Sequence, residues 1–208
     1  YRYSVGGDFK TSSGWELLGP CGPYDTFGPE LSFGAALVEG KVKNVAIAKF
    51  THSGSQIVDW TPDGSVAVTR NLYPRFIEFV KASIKELRSK GYRVDLEGVF
   101  YHVGENDMSF GPFRRGAAGH IGQLIEASRK DLKESKLHWY VSQQPPTDHK
   151  DVNGIDVMSE VAALAAADRY TFHVPTEGLP PQEKQLVIST EGIVALGAWL
   201  AEAYLAKQ

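Results

Sequence analysis

Helical and strand-like segments alternate along nearly the whole chain, and this pattern predicts an α/β fold with a parallel sheet. Strands joined by intervening helices need right-handed crossovers, which place helices on both faces of the sheet. No internal repeat, low-complexity tract or linker interrupts the alternation. We therefore expect a three-layer α/β/α architecture in which residues 1–208 form a single domain.

The elements follow from hydrophobic periodicity and from helix-ending residues. Residues 1–26 show no periodicity and are predicted to be a long connecting loop. Helices are predicted over 29–38, 72–90, 121–132, 157–166 and 190–206. Strands are predicted over 42–50, 94–103, 137–141 and 170–174. Polar loops are expected over 51–69 and after Val103.

Two of the helices carry clear local signals. Pro29 suits a first helical turn, Glu30 is favoured at the positive end of the helix dipole, and Gly40 suits the helix end. The segment 72–90 is amphipathic and stops at Gly91. Each helix is therefore expected to bury one face.

Composition excludes several partners and cofactors. The net charge of −3 offers no basic excess for a nucleic acid, and no run of about 18 apolar residues predicts a membrane span. Cys21 is the single cysteine, which rules out an intrachain disulfide and thiolate metal clusters. The spacing of His102, Glu105 and Asp107 matches no known ligand set, so we expect neither a metal nor a cofactor.

Candidate site residues follow from the rule that ligands bind beyond the carboxyl ends of parallel strands. Ser53, Gly54 and Ser55 follow one predicted strand, and Gly104–Glu105–Asn106–Asp107 follow the next; a third loop runs from Val174 to about residue 189. Gly54 would let backbone N–H groups approach an anion closely. The alternative interpretation is that Asn106 and Asp107 only turn the chain and that the serines are ordinary loop residues.

Four blocks in order carry a family resemblance. They are Gly28-Pro29-Glu30 with Phe33-Gly34; residues 46–50 with Ser53-Gly54-Ser55 and Trp60; residues 101–107 (Tyr-His-Val-Gly-Glu-Asn-Asp); and Ser189-Thr190-Glu191-Gly192 with the closing helix. Together they resemble the SGNH hydrolases, within them the carbohydrate O-acetylesterase branch that includes sialate and acetylxylan esterases. The resemblance implies a flavodoxin-like sheet and a small-molecule or polysaccharide acetyl ester as substrate. A secreted or periplasmic location is plausible for such a family.

The resemblance also implies residue roles. In that superfamily a serine attacks the ester, a late histidine acts as base, and an acid orients the histidine. Gly54 and Asn106 would donate hydrogen bonds to the oxyanion, and Glu105 lies where some members place the acid. Ser53, His102 and Asp107 are expected near the substrate, with His102 as a supporting residue and not as the base.

The chain departs from the family pattern in two places. No Gly-x-Ser-Asn or Gly-Gln-Ser-Asn motif occurs, so the serine and its strand are expected outside residues 1–208, with an N-terminal segment or a partner chain completing the sheet. Lys184 and Val187 stand where the late Asp-x-x-His is expected. His173, at the end of the fourth predicted strand, is the substitute base that the sequence offers.

Two functions stay open on this basis. One is a serine esterase that removes acetyl groups from sugars; the other is a degenerate family member that binds carbohydrate or a partner without turnover. Trp60, Trp139 and Tyr140 could stack on sugar rings, but we expect them in the core.

Overall fold

A computed structural model describes residues 1–5, 8–21, 26–65, 70–109, 111–144, 156–180 and 188–208. The chain divides into two compact units. The first unit combines Tyr1–Gly54 with Thr176–Gln208, and the second unit is Ser55–Pro175. That the whole chain forms one domain stays a prediction.

In the first unit, two helices and a short hairpin form the regular structure. Strands β1 (Arg2–Val5) and β2 (Asp8–Thr11) pair antiparallel. Helix α1 (Glu30–Glu39) packs against α7 (Thr190–Leu205), both close to their predicted bounds. A Cβ added at Gly197 would lie 2.0 Å from Ser32 Oγ, so the two helices can approach this closely only with glycine there.

Two expectations for the first unit are wrong. The predicted loop 1–26 contains β1 and β2, strands of four residues each, too short to show a periodic pattern. The predicted buried strand 42–50 forms no ladder: only Phe50 makes a β-bridge, to Arg2, and Val45 is 43% exposed. Asn44 cannot belong to such a strand, because its φ of 57° lies outside the extended region.

The second unit contains a parallel sheet with helical crossovers. Strands β3 (Gly98–Val103), β4 (His138–Gln143) and β5 (Thr171–His173) are hydrogen-bonded in that order, all parallel. The helices of this unit are α2 (Tyr73–Ser89), α3 (Glu105–Ser109), α4 (Gly111–Arg114), α5 (Ala117–Leu132) and α6 (Val157–Ala167). This arrangement confirms the predicted α/β class with a parallel sheet flanked by helices.

The central strand lies deepest. Trp139, Tyr140 and Val141 on β4 are fully buried, and Trp60 is 8% exposed. The prediction that Trp60, Trp139 and Tyr140 belong to the core is confirmed. Burial of side chains of this size stabilises the unit by roughly 1.5–3 kcal/mol each before the entropy of ordering them is subtracted.

Both predicted loops next to the sheet contain helical turns. A 3₁₀ helix, Ile57–Trp60, lies within the predicted loop 51–69, and α3 and α4 replace the loop expected after Val103. Glu105, Asn106 and Asp107 therefore lie on the first turn of α3, one residue after Gly104. None of the helices in the described part of the chain is long and apolar enough to cross a membrane.

Candidate active site

Polar side chains gather at the carboxyl ends of β3, β4 and β5 in the second unit. The end of β3 and the following helix α3 contribute His102, Glu105, Asn106 and Asp107. The end of β4 contributes Ser142, Gln143 and Gln144, and the end of β5 contributes His173. In a parallel sheet these strand ends meet at one edge, where ligands bind in folds of this class. The edge therefore holds most of the predicted site residues.

Strand register divides these residues between the two faces of the sheet. His102 is paired with Ser142, and the His102 Nδ1 atom lies 2.8 Å from the Ser142 Oγ. His173 is paired with Val141, which puts its side chain on the same face as Gln143, two residues further along β4. Because side chains alternate along a strand, His102 and His173 point to opposite faces.

Asn106 donates a hydrogen bond to a neighbouring loop. Its Nδ2 atom lies 3.3 Å from the backbone carbonyl oxygen of Ser55. The side chain is half-buried, as is that of Glu105 on the preceding position of α3. The structure thus brings an amide donor and a carboxylate together on one helical turn at the sheet edge.

Asp107 is buried and binds backbone. Its two carboxylate oxygens lie 3.1 and 3.0 Å from the backbone nitrogen of Ile57, and the residue is 2% exposed. Burial raises the pKa of Asp107 to about 7; the Ile57 hydrogen bond opposes this, and the charges of Asp59 and Glu105 add to it. Asp107 can therefore change protonation near neutral pH.

The segment Ser55–Trp60 carries a second buried acid. Asp59 is 1% exposed; its Oδ2 accepts the backbone N–H of Gln56 at 2.9 Å and lies 3.6 Å from Arg70 Nε. Trp60 Nε1 donates to Ser55 Oγ at 3.2 Å, and the Trp60 ring meets that of Tyr101 edge-on, with centroids 6.0 Å apart. These contacts fix the segment against β3.

The pKa of Tyr101 is raised by its burial and by the two acids near it. Burial raises the pKa of the Tyr101 phenol well above its ordinary value, and the charges of Asp107 and Asp59 raise it further. Tyr101 precedes His102 on β3, so it lies on the opposite face of the sheet from His102. The buried acids accordingly act on the face that His173 also shares.

The two histidines at this edge, His102 and His173, differ in their hydrogen-bond partners. Burial lowers the pKa of His102 to about 4, while the Gln144 side chain acts in the opposite sense, so His102 is neutral at pH 7. His173 Nε2 lies 2.7 Å from Gln143 Oε1. An amide oxygen only accepts, so the His173 Nε2 carries the hydrogen in this bond. Any base function of His173 would therefore use its Nδ1 atom.

The remaining predicted residues lie in the first unit or outside the described residues. Ser53 and Gly54 are exposed, and Gly54 has a φ of 68°, a left-handed conformation that favours glycine. The Ser53 carbonyl accepts a hydrogen bond from His52 Nδ1 at 3.0 Å. Lys184 and Val187 lie outside the described residues. The roles of Ser53, Gly54, Glu105, Asn106 and Asp107 stay predictions, as do those of His102 and His173.

Sequence reasoning missed several residues of this edge. Ser142 and Gln143 end β4 fully buried, and Gln144 is 5% exposed. The predicted strand 137–141 stopped before them, although the strand-end rule that selected the other candidates applies equally here. Within the described residues, no group of His, Cys, Asp and Glu side chains could hold a metal ion.

Comparison with known proteins identifies the family and the fold. The family model described as carbohydrate esterase, sialic acid-specific acetylesterase matches residues 17–206. An X-ray structure of a protein from Arabidopsis thaliana is similar in fold, with a TM-score of 0.65 and 22% sequence identity over 90% of this chain and 71% of that one. No curated protein matches the chain. The family resemblance read from the four sequence blocks is confirmed: the chain belongs to the sialic acid-specific acetylesterase family of carbohydrate esterases.

Proposed function

We propose that this protein hydrolyses acetyl esters on carbohydrates, either small sugars or polysaccharides. Family membership supports an acetylesterase activity. The observation that carries the proposal is the Asn106 amide, on the first turn after β3 and hydrogen-bonded to the Ser55 carbonyl at 3.3 Å. The amide nitrogen carries two hydrogens: one is donated to Ser55, and the other suits the negative oxygen that forms when an ester carbonyl is attacked.

The proposed roles divide the reaction among few groups. A serine outside residues 1–208 attacks the acetyl carbonyl, and the Asn106 amide and the Gly54 N–H donate to the resulting oxyanion. His173 takes the serine proton on Nδ1, since its Nε2–H is held by Gln143 Oε1, and passes it to the departing sugar oxygen. Glu105 is the candidate acid that would stabilise the charge formed on His173. Water then releases acetate from the acyl-enzyme by the same proton transfers in reverse.

The test is acetate release by the full-length protein from a chromogenic acetate and from an acetylated sugar. Asn106→Ala should lower kcat about 100-fold, because an oxyanion donor acts on the transition state. Gln123→Ala removes an exposed amide from α5 and should leave kcat unchanged. Full-length protein without activity, or an Asn106→Ala variant as active as wild type, contradicts the proposal.

A second candidate function rests on Val187. The resemblance puts the late histidine at this position, and valine can neither take nor give a proton. A family member without that histidine could bind acetylated carbohydrate without turnover. Calorimetric binding of an acetylated oligosaccharide by full-length protein that releases no acetate would favour this function over the esterase.

A further inference from the structure

We infer that Asp107 is a positioning residue whose buried carboxylate holds the segment Ser55–Ile57 in place for the Asn106 amide. This inference rests on the proposed function for its catalytic meaning, but its structural part can be tested without any activity. It gives Asp107 a role other than the substrate contact expected from sequence.

The geometry joins two distant parts of the sequence. Asp107 and Ile57 are 50 residues apart, yet both carboxylate oxygens of Asp107 lie within 3.1 Å of the Ile57 nitrogen. Asp107 is 2% and Ile57 1% exposed, so water competes little for this hydrogen bond. A hydrogen bond that a backbone N–H donates to a buried carboxylate is charge-assisted and stronger than a neutral one. Asp107 therefore ties the Ile57 backbone firmly to α3.

The hydrogen bond between Asp107 and Ile57 lies beside the residues that the reaction would use. Asn106 lies next to Asp107 on α3 and bonds the Ser55 carbonyl, two residues before Ile57. Asn106 and Asp107 thus bind the segment at two points: the Asn106 amide donates to the Ser55 carbonyl, and the Asp107 carboxylate accepts from the Ile57 N–H. Gly54, the proposed second oxyanion donor, directly precedes Ser55 in the chain. Without the hydrogen bond at Ile57, the Ser55 carbonyl would no longer hold the Asn106 amide in one orientation.

Other contacts make the segment internally rigid. Asp59 caps the Gln56 N–H, and Trp60 Nε1 bonds the Ser55 hydroxyl. These bonds lie within Ser55–Trp60 and hold its shape, whereas the bonds from Asn106 and Asp107 connect it to α3. Loss of Asp107 should therefore free the Ile57 amide without unravelling the segment, which the Trp60 ring still anchors against Tyr101.

Hydrogen–deuterium exchange on the full-length protein tests the structural part. In Asp107→Ala, the amide of Ile57 should exchange at least about tenfold faster than in wild type, while Asp107→Asn, which keeps a carbonyl acceptor, should stay within about twofold. Asp168→Ala is the matched control, since Asp168 lies at the other end of the sheet strands. It should leave Ile57 exchange unchanged relative to global unfolding.

Kinetics test the catalytic part. Asp107→Ala should lower kcat about tenfold with KM changed less than twofold, and Asp107→Asn should restore most of the rate, which a residue that contacts substrate would not show. Unchanged Ile57 exchange in a folded Asp107→Ala variant overturns the inference. If that variant does not fold, the wild type decides, because an Ile57 amide exchanging at the rate of an exposed one overturns it too. Wild type without turnover but with the expected exchange refutes only the proposed function.

Discussion

Asp107 lies at the carboxyl ends of the parallel strands (the carboxyl edge), and Asp168 lies at their amino ends (the amino edge). The surroundings shift the pKa values of these two carboxyl groups in opposite directions. At the carboxyl edge, burial raises the pKa of Asp107 to about 7. At the amino edge, burial would also raise the pKa of Asp168, but hydrogen bonds from Thr171 and Tyr170 and the charge of Arg129 outweigh it and lower the pKa. One acid is poised to titrate; the other is held ionised.

The amino edge is built as a structural clamp. Arg129 on α5 contacts Asp168 at 2.5 Å through Nη1, donates from Nε to the Leu137 carbonyl at 3.0 Å and reaches Thr171 Oγ1 at 3.3 Å. The same aspartate caps the start of β5 through the Tyr170 N–H at 3.0 Å. These bonds connect α5 and the end of α6 to the residues at the beginning of β4 and β5, so this edge holds helices and sheet together.

The opposite pKa shifts of Asp107 and Asp168 show that burying a carboxylate is unfavourable at the carboxyl edge. The Asp168 side chain stays 29% exposed and is paired with Arg129, whereas Asp107 is 2% exposed and has another acid, Asp59, acting on it. Shifted acids of this kind gather at functional sites, where a group must exchange a proton or hold a strained arrangement. The contrast between Asp107 and Asp168 therefore supports placing function at the carboxyl edge.

The largest expected effect is a pair of opposite pH dependences at the carboxyl edge. Folding raises the pKa of Asp107 from 3.8 to about 7, so its contribution to stability is present below pH 3.8 and is lost as pH rises to about 7. Folding lowers the pKa of His102 from 6.5 to about 4, so its contribution is present above pH 6.5 and is lost as pH falls to about 4. In wild type the two largely cancel between pH 4 and 6.5.

Single variants should separate the two contributions. Relative to wild type, His102→Asn should lose up to roughly 3 kcal/mol of stability as pH rises from 4 to 6.5, and Asp107→Asn should gain up to roughly 4 kcal/mol as pH rises from 4 to 7. Urea unfolding at half-unit pH steps measures both slopes. Asp168→Asn is the comparison at the amino edge. Parallel curves for wild type and both carboxyl-edge variants would contradict the contrast between the edges.

The sequence predicted the parallel-sheet unit well because its signals are local and strong. The amphipathic helix from Tyr73 to Ser89 forms within one residue of its predicted bounds, and β3 ends at Val103 as predicted although it begins at Gly98 and not at residue 94. The stretch 42–50 shows the limit of the same reasoning. Its Val, Ile and Ala content is that of a strand, but a strand also needs a partner and extended φ values, and Asn44 departs from them.

The candidate site was predictable in position but not in its connections. The strand-end rule selected Glu105, Asn106 and Asp107 correctly as residues at one edge. It could not show that Asp107 bonds Ile57 across 50 residues, since that contact depends on tertiary packing. Nor could it show that alternation along the strands sends His102 and His173 to opposite faces, because this requires the register of three strands.

A second prediction concerns the amino edge. Arg129→Ala removes the cation beside Asp168 and the donor to the Leu137 carbonyl, and should lower the free energy of unfolding by about 2 kcal/mol. Equilibrium urea unfolding at pH 7 measures the loss. Lys130→Ala, its exposed neighbour on α5, should change stability by less than about 0.5 kcal/mol.

The same variant sharpens the comparison between edges. Since Arg129 contacts the beginning of the strands, its loss should leave Ile57 exchange and acetyl-ester turnover unchanged once the fraction of folded protein is accounted for. A kcat that falls in folded Arg129→Ala would show that the two edges are coupled, and would contradict the view that the amino edge is purely structural.

The smallest expected effect is at Thr171, which is 3% exposed and begins β5. Its hydroxyl donates to Asp168 Oδ2 at 2.6 Å and accepts from Arg129 Nη2 at 3.3 Å. Thr171→Val keeps the shape but removes both bonds, and should cost about 1 kcal/mol at pH 7. Because the Thr171 bond helps to lower the pKa of Asp168, the cost should shrink as pH falls and the carboxylate is protonated. Thr171→Ser keeps the hydroxyl and should preserve the wild-type pH dependence, so a Thr171→Val curve parallel to that of Thr171→Ser would show that the hydroxyl does not hold Asp168 ionised.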